Sequence, residues 1–132
     1  MTILLPEEVI SDERRTLTQV VTADIKQVNH YLAKKGSKLG DHYHKETTEY
    51  FMVLHGHGTL ETRNIDSPIK TIREIHPYDI FKVVPGEFHT IGCESDIEMM
   101  TFLTKAYTKE ESDIWKEYHL LLGHPRKLQV TY

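Results

Sequence analysis

The chain has 132 residues, 39% of them apolar and 27% charged, with a formal net charge of −4. That length and composition fit one globular domain over residues 1–132 with a core of its own, and exclude a disordered polymer. The negative charge with no basic face excludes a nucleic-acid partner, one cysteine excludes an internal disulfide framework, and no apolar run approaches the ~20 residues of a membrane span.

The opening MTILLPEEVISDERR lacks the basic start and long apolar stretch of a signal peptide, so with the lone cysteine it predicts a cytoplasmic protein. Residues 2–10 form a short edge segment broken at Pro6, and Asp12 to Arg15 a charged turn. Thr16 to Thr22 and Lys26 to Lys34 are predicted strands. On the second, Val28, His30 and Leu32 share one face, and Gln27, Asn29 and Tyr31 the other. The apolar face marks His30 as a core histidine. The polar face suits a sugar or a solvated surface. After a turn at Lys35-Gly36-Ser37 come a strand holding His42 and His44, a polar turn over Lys45 to Thr48, and a strand from Tyr50 to Leu54. His55-Gly56-His57-Gly58 is a hairpin connection, which makes its two histidines turn or rim residues. Further strands run over Thr59–Asn64, Ile69–Ile75, Ile80–Val84, Phe88–Cys93 and Ile97–Thr104. Short strands at this spacing predict an all-β antiparallel barrel or sandwich.

One helix is predicted from about Lys109 to Leu122. Thr108 and Glu111 have capping-box spacing, Ile114, Trp115, Tyr118, Leu121 and Leu122 make an apolar stripe, and Gly123 and Pro125 end it. Its acidic stretch, Lys109 to Glu117, is expected to face solvent, and its stripe to pack on the barrel or a second subunit. Leu128 to Tyr132 has the length of a last short strand. Phe51, Met52, Phe81, Met99, Met100 and Phe102 are the expected core, and Cys93 a small buried residue.

The chemistry gathers around residues 36–56, GSKLGDHYHKETTEYFMVLHG. His42 and His44 lie two apart, so a strand aims both imidazoles to one side. Glu49, at an odd offset, joins them only after a turn, and His89 must come from another strand. Three imidazoles and a carboxylate can fill four positions of a divalent metal, and Fe, Mn, Ni, Cu and Zn all accept such donors.

The spacing G-x5-H-x-H-x4-E-x6-G, filled by Gly36, His42, His44, Glu49 and Gly56, resembles the first motif of the cupin superfamily. Gly86 and His89 match part of the second motif, while Tyr78, Val84 and Cys93 depart from it at turn and packing positions. The resemblance implies a small β-barrel, or jelly roll, with one divalent metal on His42, His44, Glu49 and His89, and a homodimer. Asp12-Glu13-Arg14, Gln27-Val28-Asn29 and Gly40 to His44 are also similar to the RmlC-like sugar-nucleotide cupins. Those are the 4-dehydrorhamnose 3,5-epimerases, the 3,4-ketoisomerases and the cupin domain of capsular-polysaccharide enzymes. This likeness implies a small-molecule substrate such as a sugar nucleotide. Arg14 or Lys38 would meet its phosphates, Gln27, Asn29 and Tyr31 its hydroxyls, and Tyr31 or Tyr107 would be the acid. The expected activity is isomerisation or epimerisation of a keto sugar, with His42 or Glu49 moving the proton. The alternatives are a metal-dependent dioxygenase and a non-catalytic metabolite-binding cupin.

Overall fold

The computed structural model describes residues 2–4 and 8–116. Within them lie eleven strands: β1 (Thr2–Ile3), β2 (Val9–Ser11), β3 (Thr16–Thr18), β4 (Gln27–Ala33), β5 (Lys38–His42), β6 (Glu49–His55), β7 (Gly58–Asn64), β8 (Lys70–Ile75), β9 (Ile80–Val83), β10 (Glu87–Cys93) and β11 (Ile97–Leu103). All the pairings are antiparallel. The order β1-β9-β6-β11-β4 makes a five-stranded sheet, β5-β10-β7-β8 a four-stranded sheet, and β2-β3 a separate hairpin.

The two larger sheets enclose one core. Phe51, Val53, Phe81, Val83, Ile97 and Met99 of the first meet Leu60, Ile75, Ile91 and Cys93 of the second. Period-2 patterning produces this arrangement. Alternate residues of β6, β7 and β11 are buried, so each strand gives one row of side chains to the interior. Phe51 and Phe81 stack across the β6–β9 pair with ring centroids 4.8 Å apart. Cys93 is buried, and burial raises its thiol pKa.

The strands fall where the sequence predicts them, with three corrections. The strand expected over Thr16–Thr22 stops at Thr18. On β4 the two faces are exchanged. Val28 and Leu32 are 51% and 75% exposed, and His30 stands between them, its Nε2 2.9 Å from Glu98 Oε2, as a surface residue and not a core one. Met52, Met100 and Phe102, expected in the core, lie on the same outward, half-buried side of the five-stranded sheet.

The third correction concerns the helix. The Glu111 N–H does donate to Thr108 Oγ1 (2.9 Å), as a capping box begins. Yet residues 109–116 are not helical. Trp115 instead forms an antiparallel bridge with Tyr43, each N–H donating to the other's carbonyl at 3.0 and 2.9 Å. Ser112, Asp113 and Ile114 are buried, so this stretch is no solvated face. Tyr118, Leu121 and Leu122 of the expected stripe, and the strand expected over Leu128–Tyr132, lie outside the described residues. Among those described, no helix is long and apolar enough to cross a membrane.

Candidate metal centre

His42 ends β5 and stands directly opposite His89 on β10. The pair is turned inward by an irregularity, for the β5–β10 register shifts between His89 and Thr90, and Gly40 and Asp41 both take positive φ (85° and 61°). Only glycine fits at position 40. A Cβ there would lie 2.9 Å from the His89 carbonyl oxygen and 3.4 Å from its ring. His44 lies just beyond β5, and its carbonyl accepts the Gly86 N–H (2.7 Å), which ties the turn before β10 to the histidine strand. Glu49 opens β6 after the polar turn and points inward between Val83 and Leu103. All four side chains are buried, and one ligand atom from each lies within 4.8 Å of the others.

The rings have a common orientation. His42 Nδ1 donates to the Gly40 carbonyl (3.0 Å), His44 Nδ1 to that of Asp113 (2.7 Å) and His89 Nδ1 to that of Glu87 (3.2 Å). A carbonyl only accepts, so each Nδ1 carries the proton. That leaves the Nε2 atoms for the shared centre, with Glu49 Oε1 3.1 Å from that of His44 and 3.8 Å from that of His89. Imidazoles fixed through their outer nitrogen are what metal-binding histidines require. Burial, then the neighbouring His44, lowers the His42 pKa to about 3. Burial, then His42 and His44, holds His89 well below its ordinary value. For His44 burial pulls the other way, but its bond to Glu49 and the charge on that carboxylate win, and its pKa is raised. Two neutral imidazoles and a carboxylate beside a third ring can hold a metal ion.

A cavity of about 180 Å3 opens over this group. Leu39, Phe51, Ile91, Met99 and Ile114 give it apolar walls, and Tyr31 and Lys38 add polar groups to those of His42, Glu49 and His89. Tyr31 therefore joins the site. Burial, then the Glu49 charge, raises its phenol pKa, so it remains a donor. Gln27 and Asn29 also point inward but are tied to each other, Gln27 Nε2 donating to Asn29 Oδ1 (3.0 Å), while Gln27 Oε1 accepts the Tyr107 N–H (2.8 Å). Asn29 Nδ2 and, across on β11, Thr101 Oγ1 are buried with no hydrogen-bond partner among the described residues. Arg14 sits on the exposed β2–β3 turn, its main-chain N–H and its guanidinium both on Asp12 (2.8 and 3.5 Å), and it does not line the cavity. His57 is exposed beside Glu94 and His76, beyond the end of β6 remote from Glu49, and His55 ends β6 at the surface.

Sequence reasoning missed three residues here. Ile114 lines the cavity, Lys116 Nζ lies 3.4 Å from the Gly40 carbonyl beside His42, and Asp113 takes the His44 proton contact on its carbonyl. All belong to the stretch read as a helix. The absence of any second apolar residue between Thr108 and Ile114 was the one signal against an amphipathic start there.

Residues 10–115 match the family model for the polysaccharide biosynthesis C-terminal domain. A UDP-2-acetamido-2,6-beta-L-arabino-hexul-4-ose reductase of Pseudomonas aeruginosa is 30% identical over an alignment of 111 residues that covers 80% of this chain and 30% of that protein. The capsular polysaccharide assembling protein CapF of Staphylococcus aureus superposes with a TM-score of 0.66 at 20% identity, over 87% of this chain and 34% of its own. The chain thus spans about a third of the length of these two proteins. The 3,4-ketoisomerase QdtA of Thermoanaerobacterium thermosaccharolyticum superposes with a TM-score of 0.72 at 16% identity, over 89% of this chain and 88% of its own. With the paired sheets and the motif residues gathered at one end of the core, these matches show that the chain belongs to the polysaccharide biosynthesis C-terminal domain family and has a cupin-like, RmlC-like jelly-roll fold.

Proposed function

We propose that this chain is a single cupin domain that binds a divalent metal through His42, His44, Glu49 and His89 and isomerises or epimerises a keto sugar carried on a nucleotide. The observation that supports this most is the convergence of three Nε2 atoms and one carboxylate beneath a cavity. Zn, Fe, Mn and Ni all suit such donors. When bound, the ion supplies a Lewis acid that draws electron density from a carbonyl oxygen. The chain's own residues do the rest. Tyr31, held as a neutral phenol, donates to a substrate oxygen. Glu49, or His42 where no ion engages it, takes the proton from the carbon beside the carbonyl and returns it to the other face of that carbon (epimerisation) or to the former carbonyl carbon (isomerisation), in which case the adjacent hydroxyl proton passes to the former carbonyl oxygen, with no net oxidation. Lys38 offers its charge to a phosphate.

The cavity is smaller than the ~300–1,000 Å3 of pockets that enclose whole drug-sized ligands, so it takes one sugar ring and leaves the nucleotide outside. The ketoisomerase named above was solved with TDP-4-keto-6-deoxyglucose, and the reductase is named for a UDP-linked sugar. Both favour an activated keto sugar. A cytoplasmic location fits such a substrate and the single buried cysteine.

Proton NMR in D2O tests the reading. The metal-loaded protein is expected to wash deuterium into the carbon beside the carbonyl of a TDP- or UDP-linked 4-keto sugar, and Glu49→Gln to lose this. Ligand-induced thermal stabilisation without exchange would point to a non-catalytic binder. Substrate-dependent oxygen uptake by iron-loaded protein would replace the isomerase with a dioxygenase.

A further inference from the structure

Asp113 is far from the histidine motif in sequence, yet it holds that motif in place. Its Oδ2 accepts the Glu46 N–H (2.8 Å), the Thr47 N–H (2.9 Å) and the Thr47 hydroxyl (2.9 Å). Its Oδ1 accepts the Lys45 N–H (3.0 Å) and the Trp115 indole N–H (3.0 Å). Its main-chain carbonyl accepts the His44 Nδ1–H at 2.7 Å. One residue therefore grips three successive N–H groups of the turn between His44 and Glu49, and also the back of the His44 ring. The grip is anchored in turn. The Tyr43–Trp115 bridge clamps the strand just before His44, and Lys45 Nζ lies 3.5 Å above the Trp115 ring.

An ordinary polar turn of four residues would leave the two ends of the ligand set free to shift relative to each other. Here a carboxylate with five donors fixes the path from one ligand to the next, and a carbonyl fixes which nitrogen of His44 faces inward. We propose that Asp113 is a positioning residue of the metal centre: its carboxylate sets the His44–Glu49 spacing, and its carbonyl sets the His44 tautomer and ring orientation. This role rests on the metal reading above. It also gives the 112–115 stretch a double duty, because Ile114 beside Asp113 walls the cavity. A shift of Asp113 would thus disturb ligand geometry and cavity shape together.

Asparagine is the sharp substitution. It keeps the shape but turns one acceptor oxygen into an NH2 group, which must then face N–H donors at either position. Changes of this kind behind a metal ligand weaken metal affinity by about 10- to 100-fold. The test uses Co(II) as a spectroscopic probe, with affinity read by chelator competition and ligand geometry by the visible absorption bands. Asp113→Asn is expected to bind Co(II) about 10- to 100-fold more weakly with altered bands. Ile75→Val, a core change in β8 away from the site, is expected to lower the melting temperature and leave both readouts as in wild type. Thr47→Val removes one of the five donors and keeps the main-chain bonds. It is expected to move the bands in the same sense with a smaller loss of affinity, and it decides the matter should Asp113→Asn not fold. Wild-type affinity and bands in Thr47→Val and in any folded Asp113→Asn would overturn the positioning role alone. A wild-type protein that takes up no Co(II) would overturn the metal reading and this role with it.

Discussion

Three imidazoles that meet at one point cannot all be charged, and the neighbours of each decide which one holds a second proton. His42, with its pKa lowered to about 3 by burial and by His44, and His89, held well below its ordinary value by burial and both other rings, are neutral near pH 7. His44 alone is pushed upward, by Glu49. The consequence for stability has a definite sign. Below about 6.5, the ordinary value, an unfolded chain protonates the first two histidines while the folded one does not, so acid favours unfolding down to pH about 3. The raised His44 acts oppositely: its contribution is complete below 6.5 and is lost as pH rises through its folded value. With two lowered groups against one raised, the metal-free protein is expected to melt at progressively lower temperature as pH falls from 6.5. His42→Asn, which cannot titrate, should flatten that slope. Differential scanning fluorimetry across this range reads both outcomes, and a slope unchanged in the variant would count against the lowered His42.

At the scale of elements, the irregular end of β5 carries more of the site than its length suggests. Gly40→Ala would force a side chain into the left-handed region, at about 1–2 kcal/mol, and press it on the His89 carbonyl 2.9 Å away. Gly36→Ala has the same backbone cost (φ 87°) but meets nothing within 4 Å. The expected result is a similar backbone loss in urea denaturation for both, an extra loss for Gly40→Ala, and weakened metal binding for Gly40→Ala alone. The gathering of His42, His44, Glu49 and His89 was legible from the motif spacing and the polar turn that brings Glu49 back, whereas strand parity explains less, because β5 ends at His42 and His44 lies beyond it. The faces of β4 were not legible, because a barrel that encloses a cavity inverts the usual alternation: Gln27, Asn29 and Tyr31 take the inward, half-buried face, with Tyr31 reaching the cavity, while Val28 and Leu32 point out. The stretch from Lys109 misled for another reason. Its helical signals are local, and they are outweighed over residues 112–115 by the bridge to Tyr43 and by five donors for Asp113.

For the molecule as a whole, the outward side of the five-stranded sheet leaves apolar side chains uncovered. Val28 and Leu32 stand exposed on β4, which ends the sheet with one edge unpaired among the described residues, and Val9, Ile10 and Leu17 are exposed on the β2–β3 hairpin. A two-stranded hairpin on its own is marginal in water. We propose that a second copy covers these surfaces. Light scattering on a sizing column should give twice the chain mass, and Leu32→Glu should shift it toward the monomer; a wild-type monomer at tens of micromolar would count against it. The wide separation of His42, His44 and Glu49 from His89 along the chain has a further consequence, for unfolding. With one cysteine, the protein has no internal disulfide to restrict its unfolded ensemble. On the proposed metal reading, an ion held by His42, Glu49 and His89 on β5, β6 and β10 at once would take the part of that missing covalent staple, since it could be held only while long loops are closed. Chelation by EDTA is therefore expected to lower the melting temperature, and free ion at about 1,000 times its Kd to add about 4 kcal/mol, so that the amount of metal in the medium, as much as the sequence, would set the temperature at which the chain unfolds.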